Sequence, residues 1–554
     1  MSLLETKPED LFSDSERKSV YEETGGKLTT DQARFQFDFD KELAECEELA
    51  RNAKQNKTFK EKLLLLEYEL NFKNKNHMVW LLGGFAAAAG LLSGLDQSII
   101  SGASIGMREK SGLLLTLDQE SWVSSLMPLG AMAGSILMTP LNEYFGRKMS
   151  IIISCLWYTL GAGLCAGSRN YHMMYAGRFI LGIGIGIEGG CVGIYISESV
   201  PPTVRGNIVS MYQFNIALGE VLGYAVAAMF YLVHGGWRFM VGSSLVFSTL
   251  LMVGMFFLPE SPRYLVHKNK IGEAFSVWKR LRDMDDDRNK LEFLEMRQAA
   301  LQEQEARATE TRMELWSDLF RIPRNRRALV YAVIMVGLGQ LTGVNAVMYY
   351  MSTLMARIGF STKNSVFMSL VGGGSLMLGT IPAILYMDRF GRRVWGLNII
   401  GFFIGLVLVG VGYLINLDTN VAAAEGVYLL GIILYMGFFG SYACLTWVLP
   451  AESFDLRTRS MGMTICSTFL YLWSFIVTYN FTRMQNAMTY TGLTLGFYGG
   501  IAFVGFFYQI FFMPETKDKT LEEIDDIFSK PTRVLVKENV VGMKNYWARK
   551  LGRK

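Results

Sequence analysis

The sequence predicts an all-α membrane protein whose twelve transmembrane helices form two pseudo-symmetric halves of six. The mean hydropathy is +0.23 and 51% of the 554 residues are hydrophobic. A soluble chain rarely reaches such values because it must cover its surface with polar groups. Charged residues concentrate in three stretches, 1–77, 259–327 and 514–554. Short motifs also recur in one order in the two apolar parts of the chain, which indicates two related halves.

Twelve stretches are long and apolar enough to cross a bilayer, whose core of about 30 Å requires about 20 helical residues. In the first half the predicted spans are 78–104, 120–142, 149–168, 174–197, 207–233 and 237–258. In the second half they are 328–357, 364–387, 394–415, 427–451, 460–483 and 493–513. The chain then divides into an N-terminal tail (1–77), a first half (78–258), a linker (259–327), a second half (328–513) and a C-terminal tail (514–554).

Lysine and arginine mark the short connections that follow even-numbered helices, as in Arg147-Lys148 and Arg392-Arg393, whereas 416–426 after helix 9 contains neither. Cytosolic loops carry the excess of these residues. We therefore expect both termini to be cytosolic, and we expect the chain to be an integral protein of the plasma membrane. The polar, acidic start does not resemble a secretory signal, so helix 1 is expected to direct insertion.

Two polar stretches carry helical patterns outside the spans. Residues 285–316 are rich in Glu, Arg, Gln and Ala, with apolar residues at helical spacing, and predict a cytosolic helix. Residues 57–72 predict a short amphipathic helix, either at the membrane surface or as an ordinary surface helix.

The internal repeat consists of three motifs at nearly one offset. Each motif stands after an even-numbered helix in both halves, and the offsets are 245, 254 and 255 residues. The paired motifs are Asn142-Glu-Tyr-Phe-Gly-Arg-Lys148 with Met387-Asp-Arg-Phe-Gly-Arg-Arg393, Glu198 and Arg205 with Glu452 and Arg459, and Pro259-Glu-Ser-Pro262 with Pro514-Glu-Thr516. Two duplicated six-helix halves with a cavity between them are typical of transporters.

These motifs resemble the sugar porter family of the major facilitator superfamily over about residues 78–530. The resemblance also rests on Gly177-Arg178, Glu260-Ser-Pro-Arg263, Gln340-Leu-Thr-Gly-Val-Asn345, Pro514-Glu-Thr-Lys517 and Thr520-Leu-Glu-Glu-Ile524. Within the family, the sequences at 316–327 and 520–528 are similar to a fungal branch.

The resemblance implies a major facilitator fold and secondary transport of a sugar or polyol by alternating access. The expected partners of the protein are a small polyhydroxylated solute (a hexose, pentose, polyol or inositol-like compound) and the lipid bilayer. The expected carrier is a monomer without a cofactor, and a proton is the expected coupling ion. Facilitative uniport of the same solutes and a non-transporting nutrient sensor remain the alternatives.

Four ionisable residues stand out in the interiors of the predicted spans: Asp96, Arg178, Glu188 and Glu220. A charge near the bilayer centre costs roughly 2.5–3.5 kcal/mol, so such groups pair with each other or face a wet cavity. Asp96 and Arg178 should both lie in the outer half. The resemblance implies a proton-coupling role for an acid at Asp96, and we group Arg178 and Glu188 with it. A static Asp96–Arg178 bridge is the alternative.

The predicted solute site combines amide, carboxylate and aromatic side chains, which hydrogen-bond hydroxyls and cover C–H surfaces. Its members are Gln213, Glu220, Gln340, Asn345, Tyr349 and Trp447. Thr342-Gly343 lies between two of them and is expected to let helix 7 bend. The alternative roles are contacts between helices, including a protonated carboxyl at Glu220.

Three departures from the family pattern bear on the solute. Gly339 stands where a first glutamine is usual in helix 7, and Ala443-Cys-Leu-Thr-Trp447 lacks the usual prolines. Leu470 and Tyr471 stand where relatives often have Asn and Trp. A hexose site is therefore less strongly indicated, and a pentose, polyol or inositol-like solute remains open.

Charged residues at the cytosolic helix ends of both halves predict a gate. They are Glu143, Arg147, Glu198, Arg205, Asp388, Arg392, Glu452 and Arg459. Exposed ion pairs across the halves, each contributing about 1 kcal/mol, would set the balance between two conformations. The alternative is that these charges only fix the topology.

Other classes of function are poorly supported by the sequence. The net charge of +4 is small for a nucleic-acid binder. The six cysteines stand singly, without metal-ligand spacing. No nucleophile–base pair or phosphate loop is recognisable, so we do not expect an enzyme. The run Gly182-Ile-Gly-Ile-Gly186 lies inside a predicted helix and indicates close helix packing.

Overall fold

The computed structural model describes residues 41–52, 75–108, 112–309, 312–454, 458–516 and 521–550, and the regular secondary structure in them is helical. Eleven described helices are long and apolar enough to cross a membrane, and Ile399–Gly412 is a shorter apolar helix. Each of the twelve predicted spans overlaps one of these helices, so the predicted fold class is confirmed. The predicted helix at 57–72 lies outside the described residues.

The helices of the two halves are numbered 1 to 12 in chain order. The first half consists of helix 1 (Lys75–Ala87 and Gly90–Arg108), helix 2 (Leu117–Tyr144), helix 3 (Arg147–Ala166), helix 4 (Tyr171–Ser199), helix 5 (Pro202–Phe230) and helix 6 (Gly236–Phe256). The second consists of helix 7 (Pro323–Leu341, Val344–Tyr349 and Met351–Arg357), helix 8 (Thr362–Phe390), helix 9 (Arg392–Gly396 and Ile399–Gly412), helix 10 (Leu417–Ser453), helix 11 (Arg459–Met488) and helix 12 (Gly492–Tyr498 and Gly499–Phe512).

Helix 7 bends where the sequence predicts it. Its first segment ends at Leu341, and Gly343 adopts the left-handed conformation with φ of +90°. A Cβ at this position would lie 2.6 Å from the ring of Tyr498. Tyr435 donates a hydrogen bond of 2.8 Å to the Thr342 carbonyl, which the break leaves without its helical partner. Glycine is required here both for the backbone angle and for the space.

Helices 2 and 4 pack closely because glycines lie on the side of each helix that contacts the other. A Cβ added to Gly130 would lie 3.1 Å from the Gly182 Cα, and one added to Gly134 would lie 3.1 Å from the Gly186 Cα. The glycine run of helix 4 therefore has the packing role that the sequence indicates, since small residues let two backbones approach.

Two helix pairs make most of the contact between the halves. Helix 2 packs against helix 11 along its length, with Arg483 donating to Asp118 at 2.6 Å near one end and Thr139 bonded to Thr464 at 2.6 Å near the other. Helix 5 packs against helix 8, and Tyr224 of helix 5 also donates a hydrogen bond of 2.9 Å to the Met348 carbonyl. The space between the halves is thus bordered by elements of both.

Residues 260–309, with 41–52 and 75–78, form a compact unit of their own. The predicted helical linker is present in it as Pro262–His267, Ile271–Leu281 and Asp287–Thr309. Its core includes Phe275 and Phe293, whose ring centroids are 5.0 Å apart. Lys279 donates a hydrogen bond of 2.6 Å to Glu47, and this bond lowers the pKa of the carboxyl. Part of the N-terminal tail therefore packs on the linker.

Candidate solute cavity and buried charge pair

One cavity lies between the two halves. It contains about 640 Å³ of space not occupied by atoms and is lined by helices 1, 2 and 5 of the first half and by helices 7, 8, 10 and 11 of the second. All six predicted solute-site residues line it: Gln213, Glu220, Gln340, Asn345, Tyr349 and Trp447.

The helix 7 amides form a network across the helix break. Asn345 Nδ2 donates hydrogen bonds to Gln340 Oε1 and, at 2.7 Å, to Ser474 Oγ of helix 11. The bend at Gly343 lets the two amides face each other although they are five residues apart. The network holds both side chains in one orientation, and each amide retains hydrogen-bonding capacity for a solute hydroxyl.

A second polar contact connects the halves at the other side of the cavity. Trp447 Nε1 of helix 10 donates a hydrogen bond of 3.0 Å to Gln213 Oε1 of helix 5. Tyr212 packs edge-on against the Trp447 ring, with centroids 5.4 Å apart. The hydrogen bond and the tyrosine ring hold the indole in one orientation. The indole ring borders the cavity, where it can pack against the C–H surface of a solute.

Glu220 places a carboxylate on the cavity wall. It lies seven residues after Gln213, which is about two turns, so both side chains occur on one face of helix 5. The residue is 2% exposed, and its Oε2 makes no hydrogen bond to the described residues. A Cβ at Gly94 of helix 1 would lie 2.9 Å from the Glu220 backbone nitrogen, so helix 1 closely covers this part of helix 5.

Sequence reasoning missed several polar residues of the cavity wall. They are Ser93, Gln97, Thr446 and Ser474, whereas Tyr471, which the sequence singles out as a departure from the family pattern, also lines the cavity. Ser93 and Gln97 are four residues apart, so they lie on one helical face next to Asp96, and this spacing could have identified them. No comparable sequence signal identifies Ser474, because its importance comes from its contact with Asn345 on another helix.

Asp96 and Arg178 form the predicted ion pair, and it is almost fully buried. Arg178 Nη1 lies 2.5 Å from Asp96 Oδ1, and the two side chains are 2% and 3% exposed. Arg178 Nε donates a further hydrogen bond of 2.9 Å to the Val123 carbonyl, so the pair connects helices 1, 2 and 4. Asp96 Oδ2 and Arg178 Nη2 have no partner among the described residues. Neither residue lines the cavity, but Tyr349, which does, is close enough to interact electrostatically with both.

Glu188 lies apart from this pair. It is ten residues after Arg178 on helix 4, about 15 Å along the axis. Its carboxylate is 1% exposed and lies beside the Tyr212 hydroxyl, and it does not line the cavity. The sequence groups Glu188 with Asp96 and Arg178, but the structure separates them, because ten residues of a straight helix span half of the bilayer core.

The predicted gate residues form two ion pairs in equivalent positions. Arg147 Nη2 lies 2.8 Å from Glu198 Oε1, and Arg392 Nη2 lies 3.0 Å from Glu452 Oε1. Each pair lies within one half and connects consecutive helices, so neither is the contact across the halves that the sequence suggested. Glu143 lies at the end of helix 2, and Arg459 begins helix 11. The side chains of Arg205 and Asp388 are not among those that the structure describes.

Comparisons with known proteins identify relatives over most of the chain. A family described as "Sugar (and other) transporter" matches residues 83–528. The chain is 58% identical over 480 residues to the myo-inositol transporter FST1 of Gibberella moniliformis, covering 86% of this chain and 83% of the relative. It is 32% identical to the arabinose-proton symporter of Escherichia coli K12, covering 79% and 91% of the two chains.

The fold also matches solved structures. The proton:xylose symporter XylE, described as a protein of the major facilitator superfamily and bound to 6-bromo-6-deoxy-D-glucose, aligns with a TM-score of 0.68 at 23% identity. The alignment covers 82% of this chain and all of that one. At this identity the match supports the fold alone.

Proposed function

The chain belongs to the sugar transporter family of the major facilitator superfamily, and we propose that it moves a myo-inositol-like cyclic polyol together with a proton across the plasma membrane. The observation that carries the proposal is the cavity between the halves, whose wall combines four amides, a carboxylate and an indole. The similarity to a myo-inositol transporter supports the choice of solute.

The cavity chemistry suits a ring that carries a hydroxyl on each carbon. Gln213 and the Gln340–Asn345 pair can donate to and accept from hydroxyls around the ring. Trp447 can cover one C–H face. Buried amides left unpaired are costly, so a solute lacking hydroxyls at these positions would bind weakly.

We assign proton coupling to the Asp96–Arg178 pair. A carboxylate beside arginine stays ionised, whereas one that loses this contact in a low dielectric takes up a proton. The pair joins helices 1, 2 and 4, and Tyr349, which lines the cavity, is close enough to interact electrostatically with both members. Movement of helix 7 around a bound solute would therefore reach the pair through Tyr349. Facilitative uniport is the second candidate, because nearly complete burial of a pair also suits a static bridge.

The ion pairs within each half are consistent with a carrier whose two halves move as rigid bodies. Arg147–Glu198 holds helix 3 to helix 4, and Arg392–Glu452 holds helix 9 to helix 10. Such pairs would stabilise each half while the cavity opens alternately to the two sides. We propose that the carrier is a monomer with both termini in the cytosol.

Uptake of radiolabelled solutes in yeast that lacks its own myo-inositol transport tests the proposal. We expect saturable myo-inositol uptake that is faster at external pH 5 than at pH 7.5 and that loses accumulation on addition of a protonophore. Uptake that is insensitive to both treatments would favour the uniporter. Binding of the solute without uptake would contradict a transport function and favour a sensor.

A further inference from the structure

The cavity wall contains few side chains that can carry a charge. Among the described residues that line it, Glu220 is the sole carboxylate, and none is a lysine, arginine or histidine. Its Oε2 is buried without a hydrogen-bond partner, and Tyr224 and Tyr349 are the titratable groups near it. Glu220 is therefore the one carboxyl group of the described wall, and the partner of this group decides its charge.

Two other buried acids of the bundle are matched with arginine, whereas Glu188 has no ion pair with the described residues and does not line the cavity. Asp96 is 2.5 Å from Arg178, and Glu120 accepts a hydrogen bond of 2.7 Å from Arg108 Nε. Glu220 has no ion pair with the described residues, although it is as deeply buried. Burying a carboxylate without a neighbouring cation costs free energy. A buried acid is therefore expected to form an ion pair with a basic side chain, to be protonated, or to bind a cationic group of a ligand.

Two features favour the ligand as the partner of Glu220. The carboxylate faces the cavity that takes the solute, and its Oε2 is free to accept a hydrogen bond there. A metal ion is a poorer candidate, because no group of three or more His, Cys, Asp or Glu side chains that could hold one occurs among the described residues. An ammonium group on a polyol ring would supply charge and hydrogen-bond donors at once.

We propose that the cavity also binds cationic amino-substituted cyclic polyols, with the ammonium group on Glu220, and that it rejects rings that carry a carboxylate. The inference rests on the proposed function, since it assumes that a polyol ring occupies this cavity. The amides and Trp447 would hold the remaining hydroxyls and the ring face, as for an uncharged polyol. A ring carboxylate would meet the charge of Glu220 without any compensating cation in the wall.

Competition binding to the purified full-length chain in nanodiscs tests this proposal. The probes are tritiated myo-inositol, displaced by unlabelled myo-inositol, by scyllo-inosamine (one hydroxyl replaced by an amine) or by D-glucuronate. In the wild type we expect the inosamine to displace the label and D-glucuronate to fail. In Glu220→Gln, the preference for inosamine over myo-inositol should fall by ~10-fold, because a charge-assisted bond becomes a neutral one. Glu220→Asp keeps the charge and should keep most of the preference.

The outcomes separate this inference from the proposed function. If the wild type binds and transports myo-inositol but the inosamine preference is the same in Glu220→Gln, the inference is wrong and the proposed function stands. If the inosamine binds in a Glu220-dependent way but cells take up no myo-inositol, the proposed solute is wrong and the charge pairing stands. Equal displacement by D-glucuronate and myo-inositol would also overturn the inference. Size-exclusion profiles that match the wild type establish that both variants are folded.

Discussion

Arg483, near the end of helix 11, donates a hydrogen bond of 2.6 Å to Asp118, at the start of helix 2, and this pair joins the two halves. It lies at the end of the bundle that the sequence predicts to be extracellular. One turn inward, Trp122 packs on Tyr479 with ring centroids 4.7 Å apart, and Arg483 lies 4.6 Å from the Tyr479 ring. Helices 2 and 11 are therefore in contact at this end, and a carrier must separate them to admit a solute from outside.

Cross-linking tests this requirement. Both members of the ion pair are more than half exposed, so the bond itself is expected to contribute little to the contact between the halves. A covalent link is different, because it cannot open. In the Asp118→Cys/Arg483→Cys double variant, a short bis-thiosulfonate reagent should abolish uptake, and a reductant should restore it.

Each single cysteine variant is the control for this experiment and should keep its uptake after treatment. The native cysteines among the described residues are all buried, which limits background labelling. Full uptake by a double variant that mass spectrometry proves to be cross-linked would contradict opening at this end.

Asp96→Asn should abolish accumulation of the solute against its gradient and preserve counterflow exchange. An amide cannot take up and release the coupling proton, but it can still approach Arg178. Since Arg178 would then be buried without a counter-charge, a loss of stability of about 3–5 kcal/mol is also expected. Accumulation and counterflow should be compared at equal surface expression.

Asp118→Asn is the matched control, because it removes a carboxylate that also pairs with arginine but is exposed. It should leave accumulation close to the wild-type value. Unchanged accumulation in Asp96→Asn would reject the coupling role of this pair.

Gln340→Ala should raise the KM for the solute by at least ~10-fold or abolish transport. The change removes one hydrogen-bonding amide and also leaves Asn345 with one fewer partner in the cavity. Initial rates over a range of solute concentrations measure the effect. Gln485→Ala removes a buried glutamine of helix 11 that does not line the cavity and is the control. Equal KM values in the two variants would remove Gln340 from the solute site.

Gly343→Ala should destabilise the protein by at least about 1–2 kcal/mol, because alanine is strained at φ of +90° and its Cβ would meet the Tyr498 ring. Gly374→Ala on helix 8 is the control, since a Cβ there meets nothing within 4 Å. Thermal unfolding in detergent should show a lower Tm for the first variant alone. Equal Tm values would mean that the break in helix 7 tolerates a side chain.

The sequence predicts those features that depend on local patterns. Apolar length locates the twelve spans, and family motifs locate the six residues of the cavity wall. The Asp96–Arg178 pair is also predictable, because two opposite charges in apolar spans are stabilised when they form an ion pair. The structure is needed to place Glu188, whose distance from Arg178 follows only once helix 4 is known to be continuous.

Contacts between distant surface charges are not predictable in this way. Asp118 and Arg483 are 365 residues apart and lie at helix ends where charges are common. Nothing in either neighbourhood indicates the partner. Arg147 and Arg392 each form an ion pair within their own half, and the contacts that the sequence predicts across the halves stay a prediction. Helix-end charges have several partners within reach, and packing decides between them.

Proton movement driven by the solute is the measurement that tests the proposed mechanism most directly. The purified chain would be placed in liposomes that contain a pH-sensitive dye, and myo-inositol would be added outside in the absence of any imposed pH gradient. We expect the interior to acidify as the solute enters, and we expect Asp96→Asn liposomes to show no acidification. Entry of radiolabelled myo-inositol at the wild-type rate with a constant internal pH would contradict proton coupling through Asp96 and Arg178.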